Sequence, residues 1–575
     1  MPSVLIIDGY VDEPSCLGVP PYISPYPRYI YGAIKTVDSK ISILYNTIDQ
    51  LRNQRKDLEL LDKFDIIIVI AGIVVPGRYL SGNPLSPREI IEYFSQVSKP
   101  FKILCGPAAR FGFGMAGGES TRFPAEISDI FDMIIKGDPD YVIHQIITEG
   151  MNIDSIDPNM CHHSLDELAE YAIKGSNIVT QHPFYPEFLI AEIETYRGCS
   201  RSIVGGCSFC SEPAKGTPRF REIHDIISEI KYLYQIGVSH FRLGNQPCFF
   251  SYKAFKADSE EFPKPNPAAI ERLLKGIRQV APKLRTLHID NANPGVLARH
   301  PDECRTIAKS IIRYHTSGDV AAFGVESVDP VVIEKNNLKA YPNEVLKAIR
   351  LLNEVGSSRG DNGLPELLPG LNFVFGLPGE SKKTFSSALE FLQQIMDEKL
   401  LIRRINIRQV LSLPGTSLIT NNFQKVTHHK SLFQHFKAQV QRRFEKPFLT
   451  MVVPRYTLLR NLFTECYDGN LTFARQIGSY PLLVGIPGKL PLNKFIDAKI
   501  IDYGYRSVTA IPYPLDINSS PRETIEALPH IGKKRSTRII NSRPIKNYQE
   551  LANSLDDQDL IKDLKIFLGN ELLTS

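Results

Sequence analysis

No run of apolar residues in this chain approaches the ~18 needed to cross a bilayer, and MPSVLIIDGY at its N-terminus opens a strand rather than a secretory leader. A membrane-spanning protein is excluded and a cytoplasmic one expected. The nine cysteines make no disulfide framework, because three share one short loop and six are scattered; reduced thiols suit a reducing compartment. Neither sign of charge dominates: 67 Lys and Arg face 63 Asp and Glu, so the whole-chain balance names no partner. No histidine precedes His144, which leaves the first part of the chain without an imidazole for a metal. What is present is ordinary for a globular protein, with 43% hydrophobic and 23% charged residues. At 575 residues the chain exceeds one core, and its length suggests about three or four domains.

Cys199, Cys207 and Cys210 lie in TYRGCSRSIVGGCSFCSEP, directly after the strand-like LIAEIETY. Thiolates this close in sequence can ligate one metal centre, and with only three of them a cubane iron–sulfur cluster keeps one iron open. Gly205 and Gly206 let the loop fold back between the first and second cysteine. A zinc knuckle is the competing reading, but zinc takes four protein ligands in such sites and no fourth Cys or His lies nearby. A strand followed by a cysteine loop resembles the opening of the radical S-adenosylmethionine (SAM) superfamily, in which SAM chelates the open iron. The spacing here is C-x7-C-x2-C, where the commonest pattern in that superfamily has three residues in the first gap. The resemblance implies a 4Fe-4S cluster on Cys199, Cys207 and Cys210, and SAM bound beside Phe209. It also implies reductive cleavage of SAM to a 5′-deoxyadenosyl radical that takes a hydrogen from substrate.

The expected fold class is α/β. It comprises an N-terminal doubly wound Rossmann-like domain over 1–180, a partial (β/α)6 TIM-like radical SAM barrel over 181–424, a helical extension with a small β-rich module over 425–515, and a helix–hairpin–helix over 516–575. SVLIIDGY, ISILYNT, FDIIIVIAG and FKILCG are short Ile- and Val-rich runs of the kind buried in parallel sheets. With PPYISPYPRYIYGAI, ILCGPAAR and IIKGDPD, this part resembles the cobalamin-binding-type domain of many radical SAM enzymes, and more distantly that of the methylthiotransferases. No Asp-x-His-x-x-Gly motif occurs, so cobalamin, if bound, lacks a histidine from this domain. Cys16, Cys105 and Cys161 are the only cysteines here for a second cluster, and only Cys105 sits at a strand end. His162 and His163 are expected on the surface.

Within 181–424, strands LIAEIETY, SHFRLG, LRTLHID, AAFGVE, LNFVFGLP and INIRQVLSL alternate with helices. Their polar C-terminal ends are where such a barrel does its chemistry. By the resemblance, Gly244 and Asn245 serve the amino and carboxylate groups of SAM, Glu326 the ribose hydroxyls, and Asn372, Phe375 and Gly376 the adenine side; Arg404 and Arg408 alternate toward one face with Asn406, open between reaching the SAM carboxylate and forming a surface pair. His288, Asp290, Asn291 and Asn293 form a further polar cluster, open between ligand contact and Asx turns.

PRYTLLRNLFTECY reads as helix; ARQIGSYPLLVGIPG and KFIDAKIIDYGYRSVTAIPYP read as short strands of a small barrel, loosely similar to the RNA-binding TRAM module. Residues 521–550 hold seven Lys and Arg against three Glu, and 424–446 hold six against one, which points to polyanion-facing surfaces. ETIEALPHIGKKRSTRIINSRPI resembles a helix–hairpin–helix, with Gly532 at the hairpin and Lys533, Lys534 and Arg538 facing phosphates. The expectation is a radical SAM enzyme that methylates or methylthiolates nucleic acid, tRNA foremost, and draws electrons from a donor protein. The alternatives are a cobalamin-dependent C-methyltransferase acting on a protein or small molecule, and a nucleic-acid-binding scaffold with a structural cluster.

Overall fold

The structure, a computed structural model, describes residues 2–11, 22–53, 60–73, 82–114, 117–150, 152–420 and 429–569. Cys16 and the start of the basic 424–446 run lie outside the described residues. Strands β1 (Ser3–Asp8) and β2 (Tyr22–Ile23) precede β3 (Ser42–Thr47), β4 (Ile66–Ile70), β5 (Phe101–Cys105) and β6 (Met133–Ile134). All but β2 make one parallel sheet in the order β3-β1-β4-β5-β6. The central strands β1 and β4 are almost wholly apolar because both their faces are covered, whereas the edge strand β3 leaves Ser42 and Leu44 exposed. Val4, Ile6, Ile68 and Ile103 point into the central core, whereas Leu5, Ile7, Ile67, Val69 and Leu104 pack against Ile90, Tyr93 and Phe94 of the outer helix Pro87–Phe94. This doubly wound order puts a ligand crevice at the carboxyl ends of β1 and β4, where the winding reverses.

β2 leaves that sheet and pairs with β7 (Ile190–Glu194), Tyr22 opposite Ile190. The next helix, Pro25–Val37, carries Arg28, whose fully buried guanidinium is paired with Glu229 and donates to the Glu192 carbonyl. Arg221 reaches the other Glu229 oxygen at 2.6 Å. The N-terminal domain is therefore joined to the barrel by a shared sheet edge and a buried ion network.

A short ribbon, β8 (Tyr196–Arg197) with β9 (Arg219–Phe220), brackets the cysteine loop. The parallel succession continues through β10 (His240–Gly244), β11 (Thr286–Ile289), β12 (Asn291–Ala292), β13 (Asp319–Glu326), β14 (Leu367–Phe375) and β15 (Arg404–Gln409). β11 and β12 are one strand interrupted at Asp290, whose carbonyl still accepts from the Ala322 amide at 3.1 Å. This is the expected partial barrel, widened at one edge by β2.

Five antiparallel and parallel strands then close a small barrel in the order β16-β17-β18-β20-β19: β16 (Leu458–Asp468), β17 (Leu471–Gln476), β18 (Leu483–Pro487), β19 (Phe495–Tyr503) and β20 (Ser507–Pro512). The helical reading of PRYTLLRNLFTECY is corrected here, since Leu458–Asp468 is β16. Its register shifts twice, between Leu459 and Leu462 and between Thr464 and Cys466. Those breaks place apolar side chains at 458, 459, 462 and 463, a spacing that imitates a helix. The helix Lys430–Val440 forms as expected. Four C-terminal helices, Arg522–Glu526, Gly532–Asn541, Tyr548–Leu555 and Leu560–Leu568, share a core with Ile501 and Ile511 of the small barrel. Among the described residues no helix is long and apolar enough to cross a membrane.

Candidate active site

The carboxyl ends of the barrel strands and those of the N-terminal sheet face one cavity of about 900 Å³, near the top of the range for ligand pockets. Val11, Ile73, Gly106 and Gly137 come from the N-terminal side, and Phe209, Cys210, Asn245, Glu326, Asn372 and Arg408 from the barrel.

The cysteine loop is shaped by its glycines. Gly205 and Gly206 both adopt positive φ, 81° and 66°, and a Cβ on Gly206 would lie 2.1 Å from Pro213. Arg197, next to the loop, is anchored to Glu194 at 2.8 Å and to Asp138 of the N-terminal domain at 2.9 Å. Burial pushes the Cys199 thiol up to about 11 and raises Cys207 and Cys210 as well. Two cations oppose that cost. Arg201, buried between Glu261 and Asn337, donates to the Cys207 sulfur at 3.0 Å, and the Lys339 ammonium acts on all three thiols. Three thiols on one loop, with Arg201 and Lys339 beside them, fit a cluster with one open iron, and the loop offers no fourth Cys or His for zinc.

Glu326, at the end of β13, takes a positive φ of 57°. One carboxylate oxygen accepts from Lys339 at 2.9 Å, and the other is buried with no partner. Burial disfavours the Lys339 ammonium, but the Glu326 carboxylate together with the Cys207 and Cys210 sulfurs offsets it and holds its pKa above the usual range. An orphaned carboxylate oxygen on a cavity wall is an acceptor waiting for a hydroxyl donor, and a ribose supplies one. Gly324 below it leaves room for this pair, because a Cβ would meet both the Glu326 oxygen and the Lys339 nitrogen at 2.3 Å and push them aside. Asn245, also at positive φ, donates to Glu194 at 2.9 Å. A Cβ on the neighbouring Gly244 would strike Glu192 at 2.3 Å.

Residues 193–392 match the model of the Radical SAM superfamily. Its central part is a radical SAM domain. The chain also belongs to one family with the uncharacterized protein MJ0274 of Methanocaldococcus jannaschii, 50% identical over 510 residues that cover 88% of this chain and 92% of that one. Ribosomal protein uS12 methylthiotransferase RimO of Syntrophotalea carbinolica is 25% identical over 218 residues, 38% of this chain and 41% of that one. Among solved structures, the radical SAM methyltransferase TsrM of Kitasatospora setae, with tryptophan and a SAM analog bound, aligns over 73% of this chain and 75% of that one at 15% identity and a TM-score of 0.49.

Other expected residues of the radical SAM domain divide. Arg404, Asn406 and Arg408 line one wall, with Asn406 donating to Asn372 at 2.7 Å. Phe375 is not on the wall: its ring stacks on Phe385 at 4.8 Å and packs against Phe433 and Phe436, because alternate β14 side chains point to the helix layer. Gly376, at φ 87°, gives its amide to Glu380 at 2.5 Å, a turn role. Asn293 caps the helix Pro294–Arg299, so the Asx reading holds there, while Asp290 and Asn291 face the cavity. His162 is corrected from the surface to the interior: it is buried and bonded to Asp140 at 2.6 Å, and although burial opposes protonation that carboxylate raises its pKa. Cys105 is buried and Cys161 lines the cavity. Lys339, Arg201, Arg242 and Tyr480 were not expected, since single charged or aromatic residues inside long segments carry no motif.

At the C-terminus, Lys533, Lys534 and Arg538 are exposed on the helix Gly532–Asn541, while Ile531 and Ile539 are buried. Gly532 opens that helix at φ 57°.

Proposed function

We propose that the chain is a radical SAM enzyme that methylates or methylthiolates nucleic acid, with tRNA first among candidate substrates. The observation that carries the reading is the exposed pair Lys533 and Lys534 at the start of the helix Gly532–Asn541, with the exposed Arg538 further along it, on a molecule whose central cavity suits SAM. Backbone amides and the helix dipole there favour phosphate and confer affinity without reading sequence. A reduced four-iron cluster supplies, when bound, the electron that splits SAM. The chain's own residues hold three thiols, balance their charge through Arg201 and Lys339, offer the free Glu326 oxygen, and shield the reacting centre from water. The test is anaerobic reconstitution followed by dithionite, SAM and total RNA. Release of 5′-deoxyadenosine that rises with RNA supports the proposal; release indifferent to RNA removes nucleic acid as substrate.

A second reading, cobalamin-dependent methyl transfer to a protein or small molecule, draws on one observation. The crevice at the carboxyl ends of β1, β4, β5 and β6 opens into the same cavity as the cysteine loop. A corrin there would stand without an axial histidine from the segment before His144. The absorption spectrum of protein purified from cells grown with cobalamin decides it.

A further inference from the structure

The floor of the cavity belongs to the small barrel. That barrel meets the amino ends of the radical SAM strands: Phe463 packs on Phe188 and Ile190, Leu459 and Leu462 share a core with Leu364 and Leu368, and Thr286 donates to the Ile477 carbonyl at 2.9 Å. From this contact the β17–β18 loop rises into the interior. The Ser479 amide donates to His288 Nδ1 at 3.1 Å. A Cβ on Gly478 would lie 2.7 Å from that imidazole, so the close approach needs glycine. Burial lowers the affinity of His288 for a proton, which keeps it an acceptor.

Tyr480 is the tip of the loop and lines the cavity. Its hydroxyl donates to one Asp290 oxygen at 2.8 Å, and the other Asp290 oxygen accepts from Arg242 at 2.7 Å. The Arg404 guanidinium lies 5.0 Å from its ring centre, and Arg403 donates to its carbonyl at 3.0 Å. Arg242 and its neighbour Glu192 sit two residues below Gly244 and Glu194 on the same strands, about 7 Å beneath the strand ends. Asp290 falls at the break between β11 and β12, where the strand itself does not fix its side chain.

We propose that Tyr480 is a positioning residue of the radical SAM site, holding Asp290 and through it Arg242 in the layer beneath Gly244 and Asn245, the residues that would hold SAM. The small barrel thereby completes the active site and is more than an appended binding module. Burial and the facing Asp290 carboxylate keep the phenol protonated, so the hydroxyl remains a donor throughout the working pH range.

The test compares Tyr480→Phe, Asp290→Asn and the double variant in the full-length, cluster-reconstituted protein, with SAM affinity read by anaerobic equilibrium dialysis. Iron content and thermal midpoint check that each variant folds. The expected result is SAM binding about tenfold weaker in each single variant, with no further loss in the double variant, because both remove one coupled contact. Unchanged SAM affinity in Tyr480→Phe, or losses that add in the double variant, overturns the proposal. A second measurement needs no variant: SAM is expected to slow amide hydrogen exchange in 477–482, and exchange unaltered by SAM overturns it equally.

Discussion

Glu326 is a carboxylate with one oxygen satisfied and one not. Leaving a buried acceptor unpaired costs about 1–3 kcal/mol, a cost a fold retains where a ligand removes it. Glu326→Gln keeps the shape but surrenders the charge that Lys339 and a ribose hydroxyl both require. It is expected to bind SAM at least about tenfold more weakly with little change in iron content, as equilibrium dialysis and iron assay would measure. Asp8, at the end of β1, poses a different question. Its buried carboxylate accepts from the Tyr10 amide and the Tyr45 hydroxyl, each at 2.9 Å, yet burial outweighs both bonds and pushes its pKa from 3.8 up to about 6. The folded chain therefore keeps a proton that the unfolded chain has released. The stability this contributes is full below about pH 4 and is lost as pH rises through about 6. Asp8→Asn removes the slope, so the wild-type advantage over the variant in urea unfolding should be larger at pH 5 than at pH 8 by about 1 kcal/mol. An advantage that grows toward alkaline pH reverses the argument.

At the scale of elements, the cysteine loop depends on a turn that other residues cannot make. Gly206 combines a left-handed backbone with a Cβ position already filled by Pro213. Gly206→Ala should displace Cys207 from its place beside Arg201 and cut reconstituted iron to less than about half, while far-UV circular dichroism stays unchanged because the loop supports little of the core. This turn was legible in the sequence because glycine pairs between ligands have few other uses. The parallel strands were legible too, since strands buried on both faces advertise themselves as unbroken Ile and Val runs. β16 was not: two register breaks rephased its apolar residues into a helical spacing. The cavity floor was hidden for a related reason. Tyr480 and Asp290 are far apart in the chain, and nothing in either segment announces that one small barrel will press its loop into another. The same holds for Lys339, whose importance lies wholly in the three sulfurs and the carboxylate it meets.

Considered whole, the molecule builds one cavity from several of its parts. The N-terminal sheet and the cysteine loop face each other across the cavity mouth, the small barrel closes the opposite end, and the four C-terminal helices pack on that barrel through Ile501 and Ile511. On the proposed reading a tRNA engages the basic helix as well as the cavity, whereas a single nucleotide needs the cavity alone. Lys533→Glu with Lys534→Glu is therefore expected to weaken binding of full-length tRNA about tenfold or more, and to flatten the dependence of log affinity on log salt by about two. Slow SAM cleavage in the absence of RNA should be untouched, because neither lysine approaches the radical SAM domain's cavity. Filter binding at several salt concentrations, run beside an RNA-free 5′-deoxyadenosine assay, separates the two effects. If both quantities fall together, the charge reversal has damaged the fold; if neither falls, the tRNA is held elsewhere, and the basic helix loses its place in the reaction.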